Sequence, residues 1–118
     1  MEQKNLISAA GAISSTADDL LEYAKMNIYE GKPYFSLCHK NHGNGKKKYD
    51  MGLGWWLLKK NNNVILHGGG TGCFSSFLGM DKEKKVASVV LANYRLGRND
   101  EEKIGNSLLK SLQKSNGI

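Results

Sequence analysis

A histidine followed by three glycines lies between two apolar runs of this 118-residue chain. The segment reads His67, then Gly68 to Gly70, then Thr71. An imidazole can exchange a proton near neutral pH. Glycines let the backbone approach another molecule closely and direct its N–H groups at an incoming oxygen. These residue types are therefore candidates for a site that handles a reacting oxygen.

Two other interpretations of the glycine triplet stay open at this point. A phosphate-binding loop needs a Lys and then a Ser or Thr after the last glycine, with a helix beginning there. Here Cys73 to Phe77 has the pattern of a strand, which disfavours that interpretation. The second interpretation is a purely structural glycine bulge at the rim of a sheet.

Two cysteine-containing segments could carry other chemistry. Cys73 could act as a nucleophile, but no motif places a base or a carboxylate beside it, so we expect a small strand thiol that packs inward. Cys38, His39 and His42 offer metal ligands within one segment. Zinc generally takes four ligands, and this spacing does not complete such a set. We predict no metal site and no cofactor, and we expect both thiols to be free.

The composition indicates one globular domain and gives no strong partner signal. Hydrophobic residues make up 40% of the chain and charged residues 24%. No apolar run approaches the roughly 18 residues that a membrane helix needs, and no secretion signal pattern opens the chain. We expect no membrane segment, and the compartment stays unassigned because an exported parent would carry its signal upstream of residue 1.

The net charge of +6 favours anionic partners in general. The lysines are grouped beside turn-like residues: Lys46 to Lys48, then Lys59 and Lys60, then Lys82, Lys84 and Lys85. Such groups are typical of solvated loops. We therefore predict no nucleic-acid partner.

Helices are predicted near both ends of the chain. The Thr16 side chain can accept the Asp19 N–H, and this pattern predicts a helix over about 16–29, closed by Gly31 and Pro33. Residues 36–50 are polar and lack periodicity, which predicts a surface loop. Acidic residues in the first turn predict a second helix over about 99–114. Its apolar stripe consists of Ile104, Leu108, Leu109 and Leu112.

About four strands are predicted between residues 53 and 93. The first hairpin runs from Leu53 to His67, with its turn at Asn61 to Asn63. The second joins Cys73 to Met80 with Val86 to Asn93 through a charged turn. The fold class is α+β, an antiparallel sheet with an N-terminal and a C-terminal helix packed on it.

Three blocks in this order carry a family resemblance: SAAGAISSTADDLLEYA, YDMGLGWWL and HGGGTGCFSSFLGMDKEKKVASVVLAN. Together they resemble the C-terminal part of the serine β-lactamase-related family, over about residues 8–112. That family spans class C β-lactamases, penicillin-binding D-Ala-D-Ala carboxypeptidases and esterases. The resemblance implies a partial β-lactamase/transpeptidase-like fold. It also implies hydrolysis of a β-lactam, a D-Ala-D-Ala peptide or an ester through an acyl-enzyme.

The resemblance also implies roles for the glycine segment. The family has an active serine in Ser-x-x-Lys, a tyrosine in Tyr-x-Asn, and a third box, Lys-Thr-Gly or His-x-Gly, on a strand beside the site. His67 matches the first position of the third box, Gly68 the middle one, and Gly69 the glycine along which substrate lies. The Gly70 backbone N–H would be half of an oxyanion hole, and Thr71 would continue the substrate-binding segment. Cys73 departs from the glycine that is usual in relatives.

The other two motifs of the family have no convincing match. Ser107 to Lys110 and Ser111 to Lys114 fit Ser-x-x-Lys as text, but they follow the third box and are predicted to lie on a solvated helix face. Tyr34 to Ser36 is the nearest match to the tyrosine motif, and it is not assigned. We therefore expect this chain to be the C-terminal segment of such an enzyme. It would be silent alone, with the missing N-terminal portion as its partner and a small acyl substrate in the intact enzyme.

The alternative hypothesis is a truncated, non-catalytic relative that acts as a self-associating or binding module. In the family, the last strand pairs with a strand from the N-terminal region. Val86 to Asn93 should therefore present an open edge. We predict a homo-oligomer formed through this edge or through an exposed apolar sheet face.

Overall fold

The computed structural model describes residue 11, residues 13–94 and residues 99–115. In chain order the elements are α1 (Ala17–Tyr29), α2 (Pro33–His39), β1 (Gly43–Asn44), β2 (Tyr49–Met51), β3 (Trp56–Leu58), β4 (Asn61–Thr71), β5 (Phe74–Asp81), β6 (Val86–Ala92) and α3 (Asp100–Ser115). The strands form one antiparallel sheet in the order β1 to β6. The α+β prediction is confirmed, with six strands instead of about four.

Helix α1 begins where the sequence predicts. Thr16 Oγ1 accepts a hydrogen bond from the Asp19 N–H at 3.1 Å, as expected for a residue capping a helix start. The helix ends at Tyr29, and Glu30 follows in the left-handed region with φ 46°. The closing residue is thus Glu30, just before the predicted Gly31.

The predicted loop over residues 36–50 is wrong in part, because it contains most of helix α2 and the strands β1 and β2. Pro33 occupies the first turn of α2, where a missing N–H costs nothing. A helix of seven residues is too short to show a clear period. Phe35 and His39 are nevertheless buried on its inner side.

The first hairpin turns two residues earlier than predicted. Leu58 pairs with Asn61, so the turn is made by Lys59 and Lys60. The asparagines lie in β4 instead, where Asn62 Nδ2 donates to the Leu58 carbonyl oxygen at 2.9 Å. The backbone pairing of β3 with β4 therefore outweighs the turn preference of asparagine.

The sheet has a helix on each face. One core cluster contains Ala24 of α1 with Leu57, Ile65 and Met80 from three strands. Neighbouring strand positions point the other way, since side chains alternate between the faces of a sheet. On that second face, Val64 and Val86 pack with Leu109 of α3. The two faces are called the α1 face and the α3 face below.

Of the predicted apolar stripe of α3, Leu109 is buried as expected, whereas the other three residues are exposed. Ile104, Leu108 and Leu112 are 46%, 48% and 39% exposed. The buried positions are Gly105 and Leu109, and Gly105 lies directly against the Phe77 ring. The close approach of that ring decides which side of the helix meets the sheet. No helix in the described ranges has both the length and the hydropathy to cross a membrane.

Candidate functional site

The five predicted site residues lie within a strand, not in a loop that follows it. Strand β4 continues through the glycine triplet and pairs with β5 from His67↔Leu78 to Thr71↔Phe74. The prediction that the strand ends at His67 is therefore wrong. Continued pairing gives hydrogen-bond partners to backbone groups that a loop would leave to solvent. The hairpin turn is made by Gly72 and Cys73.

One side of this strand segment is open. Strand β3 begins at Trp56, which pairs with Leu66, so β3 does not extend alongside the residues that follow Leu66. Within the described residues, His67–Thr71 has a strand neighbour only on the β5 side. We call the other side of His67–Thr71 the open edge. An open strand edge is able to pair with an added extended chain.

The register identifies which backbone groups point toward the open edge. The Lys82 N–H donates to the Asn63 carbonyl oxygen at 2.9 Å, and the β4–β5 register is unbroken from Val64 onward. Backbone groups alternate in direction along an antiparallel strand. Odd-numbered residues after Asn63 thus face β5, whereas Gly68 and Gly70 direct their N–H and C=O groups to the open edge. An oxyanion hole at Gly70 needs this orientation.

His67 is exposed and bends toward its own neighbour in the chain. Its Nδ1 lies 2.7 Å from the Gly68 carbonyl oxygen. Because a carbonyl oxygen only accepts, Nδ1 carries a proton in this contact, and Nε2 holds the lone pair of the neutral ring. That lone pair is the part of the ring that could take a proton from a ligand.

Within the triplet, glycine is favoured at residue 69 because a side chain there would crowd Ser76, not because the backbone has an unusual dihedral angle. A methyl carbon at residue 69 would lie 2.9 Å from Ser76 Oγ, which donates to the Gly69 carbonyl oxygen at 3.4 Å. A side chain at residue 69 would therefore displace the Ser76 hydroxyl. The positive φ of 51° belongs to Gly72 in the turn. A tight turn of this kind favours glycine.

A groove of about 780 Å³ lies along this segment and brings all five predicted residues together with the residues that precede α1. It is lined by Gly11, Ile13, Ser14, Ser15, His67–Thr71, Phe74–Ser76 and Leu91–Asn93. Among these lining residues His67 is the only titratable side chain. The groove thus holds backbone donors and one imidazole, and among its described lining residues there is neither a lysine nor a carboxylate to activate a serine hydroxyl.

A second groove, of about 940 Å³, lies on the α3 face and was missed by the sequence reasoning. It is lined by Lys46, Lys47, Lys48, Tyr49, Trp56, Leu66, Gly68, Asn99, Glu102, Lys103 and Asn106. Gly68 lines both grooves. The sequence feature that could have indicated this groove is the run of three lysines directly before Tyr49, which we interpreted as a solvated loop.

Cys73 does not pack inward as predicted. Its side chain is exposed in the turn between β4 and β5. Because β4 runs on to Thr71, residue 73 belongs to a two-residue turn and not to a strand. Cys38 is half-buried, and both thiols are free, as expected.

The histidines near Cys38 bond to other partners. His39 Nδ1 lies 2.7 Å from Glu30 Oε2, and its Nε2 lies 2.9 Å from Asn27 Oδ1. His42 Nε2 contacts the Leu37 carbonyl oxygen at 3.0 Å. Over the described residues, no group of three or more His, Cys, Asp or Glu is placed to hold a metal ion.

Burial and charge shift both members of the His39–Glu30 pair. Burial lowers the pKa of His39, and the hydrogen bond with Glu30 only partly opposes this. Burial tends to raise the pKa of Glu30, but its hydrogen bonds with His39 and Lys82 outweigh that effect and lower the pKa. Lys82 Nζ lies 3.3 Å from Glu30 Oε2. This cluster joins the end of α1 to α2 and to the turn after β5.

The textual matches to the other family motifs lie on solvent-exposed positions. Ser107 and Lys110 are exposed on α3, and so are Ser111 and Lys114. Their predicted place on a solvated helix face is confirmed. Tyr34 is 58% exposed and belongs to α2, not to a loop.

A family model described as Beta-lactamase matches residues 1–111. The matched range contains all three sequence blocks quoted above and both grooves. No match was found among curated proteins or among solved structures.

Proposed function

This chain belongs to the beta-lactamase family, and on that basis we propose that it supplies the third active-site box and half of the oxyanion hole of a serine acyl hydrolase. Membership of the family relates the chain to serine hydrolases in general. The observation that supports the proposed role in the oxyanion hole is the direction of the Gly70 N–H group. By the strand register, its N–H points to the open edge of β4, and Gly70 also lines the groove that contains His67.

In this proposal the substrate lies along the open edge like an added strand. Its acyl carbonyl oxygen accepts the Gly70 N–H, while the Gly68 backbone groups pair with the adjoining amide. As the carbonyl carbon becomes tetrahedral, negative charge develops on that oxygen, and a preorganised N–H stabilises it. His67, with its Nε2 lone pair, lies beside the reacting centre as a proton acceptor or hydrogen-bond partner.

The reactive serine would come from other polypeptide. In the 118 residues, Ser-x-x-Lys occurs only at the two exposed positions on α3. An acyl-enzyme needs a nucleophile and a group that takes its proton, within hydrogen-bond reach of the oxyanion donors. The chain alone is therefore expected to be catalytically silent.

Complementation tests this proposal. The chain would be mixed with a separately produced N-terminal region of a family member that carries Ser-x-x-Lys and Tyr-x-Asn, and hydrolysis of a chromogenic β-lactam and of a neutral phenyl ester would be followed. We expect turnover only in the mixture and no turnover when the serine of Ser-x-x-Lys is replaced by alanine. Turnover by this chain alone would contradict the proposal, and so would an inactive mixture in which the two pieces demonstrably bind.

A second candidate function is self-association without turnover, and a separate observation favours it. Strand β6 is the last strand of the sheet, and in the described residues it pairs with β5 only. By the same register, Ala87, Val89 and Leu91 direct their N–H and C=O groups away from β5. The β6 strands of two copies could pair antiparallel along these groups. Light scattering at tens of micromolar tests it, and a monodisperse monomer would refute it.

A further inference from the structure

The second groove combines positive charge with an aromatic floor, and we name it the lysine groove. Three of its lysines, Lys46 to Lys48, form the turn before β2 and are exposed. A fourth, Lys103, comes from α3. Glu102 is the only acidic side chain in the described lining. The groove thus attracts anions.

The floor of the lysine groove is formed by two rings. The Tyr49 and Trp56 ring centroids are 6.0 Å apart, with 53° between the ring planes. Both side chains are half-buried. Lys48 Nζ lies 5.4 Å from the centre of the Tyr49 ring. Flat apolar groups pack well on such surfaces, and the ammonium group is held nearby.

The negative charge of Glu102 is already engaged. The Tyr49 hydroxyl donates to Glu102 Oε1. Burial, together with this carboxylate, raises the pKa of Tyr49, so the phenol stays protonated as a donor. Lys103 faces Asp100, with Nζ 3.9 Å from Oδ1. The ammonium groups of Lys46 to Lys48 therefore carry the charge that a ligand would meet.

Gly68 connects the lysine groove with the proposed substrate edge, because it lines both grooves. Gly68 and Leu66 face the α3 side, whereas Ile65 and His67 face the α1 side. An extended ligand paired with the open edge directs successive substituents to opposite faces. One substituent beside Gly68 would therefore enter the lysine groove while the acyl carbonyl stays near Gly70.

From this placement we propose that the lysine groove binds an anionic, ring-bearing substituent of the acyl substrate. The assignment to the substrate rests on the proposed function, whereas binding in the groove does not. Carboxylate and phosphate share the required chemistry. Lys59 and Lys60 are equally exposed but do not line the groove, so they provide a matched control for lysines that only contact solvent.

Binding can be measured on this chain by nuclear magnetic resonance titration with three small probes. Benzoate and phenyl phosphate carry a ring and an anion, and benzamide is the neutral counterpart of benzoate. We expect amide shifts at Lys46 to Lys48 and an indole N–H shift at Trp56. Both anions should bind at least about fivefold more tightly than benzamide, because several ammonium groups act on one charge. Added salt should reduce this preference.

Replacing all three lysines of the turn with glutamine should remove the preference for the anions and leave benzamide binding unchanged. The Lys59→Gln, Lys60→Gln double variant should keep the preference, and Trp56→Leu should weaken all three probes. Tighter binding of phenyl phosphate than of benzoate indicates a phosphate-bearing substituent, and comparable binding of the two indicates a carboxylate. Equal binding of benzamide and benzoate would overturn the proposal, as would anion binding that survives the triple change.

Failure of this proposal and failure of the proposed function are distinguishable. The probe titration needs no turnover, and the complementation assay uses a neutral ester that does not depend on the lysine groove. In a working mixture, the triple lysine variant should raise KM for a carboxylate-bearing phenyl ester and leave the neutral ester unaffected. If KM stays unchanged for both esters, the groove binds free anions but does not bind the substrate. The proposal that it holds a substituent of the acyl substrate is then refuted.

Discussion

Gly105 of α3 lies so close to the Phe77 ring of β5 that a methyl carbon at residue 105 would be 2.1 Å from Phe77 Cδ1. This contact sets the distance between the helix and the α3 face of the sheet. Gly105→Ala should therefore lower the free energy of unfolding by about 1 to 3 kcal/mol, the usual cost of overpacking a core. Urea denaturation followed by tryptophan fluorescence measures the change.

Gly31→Ala is the matched control for this substitution, since nothing lies within 4 Å of the added carbon. Its effect should stay within about 0.5 kcal/mol, as for surface substitutions in general. Adding Phe77→Leu to Gly105→Ala should recover part of the loss. Equal stability of Gly105→Ala and the native chain would show that α3 does not approach the sheet as described.

Gly70→Pro removes the N–H group that we assign to the oxyanion hole. That N–H points to the open edge and not to β5, so the β4–β5 ladder keeps its hydrogen bonds. In the complementing mixture, hydrolysis should fall about 100- to 1000-fold, as when one oxyanion donor is lost. The melting temperature of the chain should change little.

Gly69→Pro is the structural comparison for Gly70→Pro. Residue 69 directs its N–H to β5, so proline there removes a ladder bond and should lower the melting temperature clearly. If the two variants are equally destabilised, the assignment of alternating directions along β4 is wrong. If Gly70→Pro keeps full hydrolysis, Gly70 is not the oxyanion donor.

The His39–Glu30 cluster should make stability depend on pH. Both groups have a lowered pKa in the folded chain, so the unfolded chain binds more protons at acid pH. Their contribution is complete above the unfolded pKa values, 6.5 for His39 and 4.5 for Glu30, and is lost as pH falls through the folded values. The free energy of unfolding should therefore decrease from pH 7 to pH 4.

Glu30→Gln should remove the part of this dependence that occurs below about pH 4.5. Glu22→Gln, on an exposed position of the same helix, serves as the control and should leave the curve unchanged. Denaturant titrations at several pH values measure both. A Glu30→Gln curve parallel to that of the native chain would mean that the cluster does not shift the Glu30 pKa.

Leu91→Pro should prevent pairing through β6 without breaking its bonds to β5, since the Leu91 N–H points outward. We expect a dimer or larger assembly for the native chain and a monomer for this variant, by analytical ultracentrifugation. Leu91→Val keeps the N–H and should still associate. Association that persists in Leu91→Pro would exclude the β6 edge and leave an exposed apolar face as the contact.

The elements that local chemistry specifies could be predicted from the sequence. Thr16 and Asp19 mark the start of α1, and the charged turn between β5 and β6 marks a hairpin. Helix α2 has too few residues to show a period. The packed side of α3 is centred on Gly105, which carries no hydrophobic signal and becomes a contact only because Phe77 lies opposite.

The candidate site, like the fold, could be predicted only in part from the sequence. The proposal of His67 and Gly70 as site residues came from the family resemblance, but the direction of the Gly70 N–H requires the strand register. The lysine groove required the fold itself, because Lys46 to Lys48 line one groove with residues of α3 only after the sheet has formed. A run of lysines in the sequence cannot show whether an aromatic floor lies beneath it.

The open edge of β4 presents main-chain atoms, and its two outward-facing residues have no side chains. Evolution can therefore exchange neighbouring residue types there without altering the donors and acceptors offered to a ligand, provided the strand keeps its shape. Ligand binding at such an edge would be lost if the strand bent or if side chains occupied the space beside it. Comparison of distant homologues at this segment should accordingly weigh backbone geometry above residue identity.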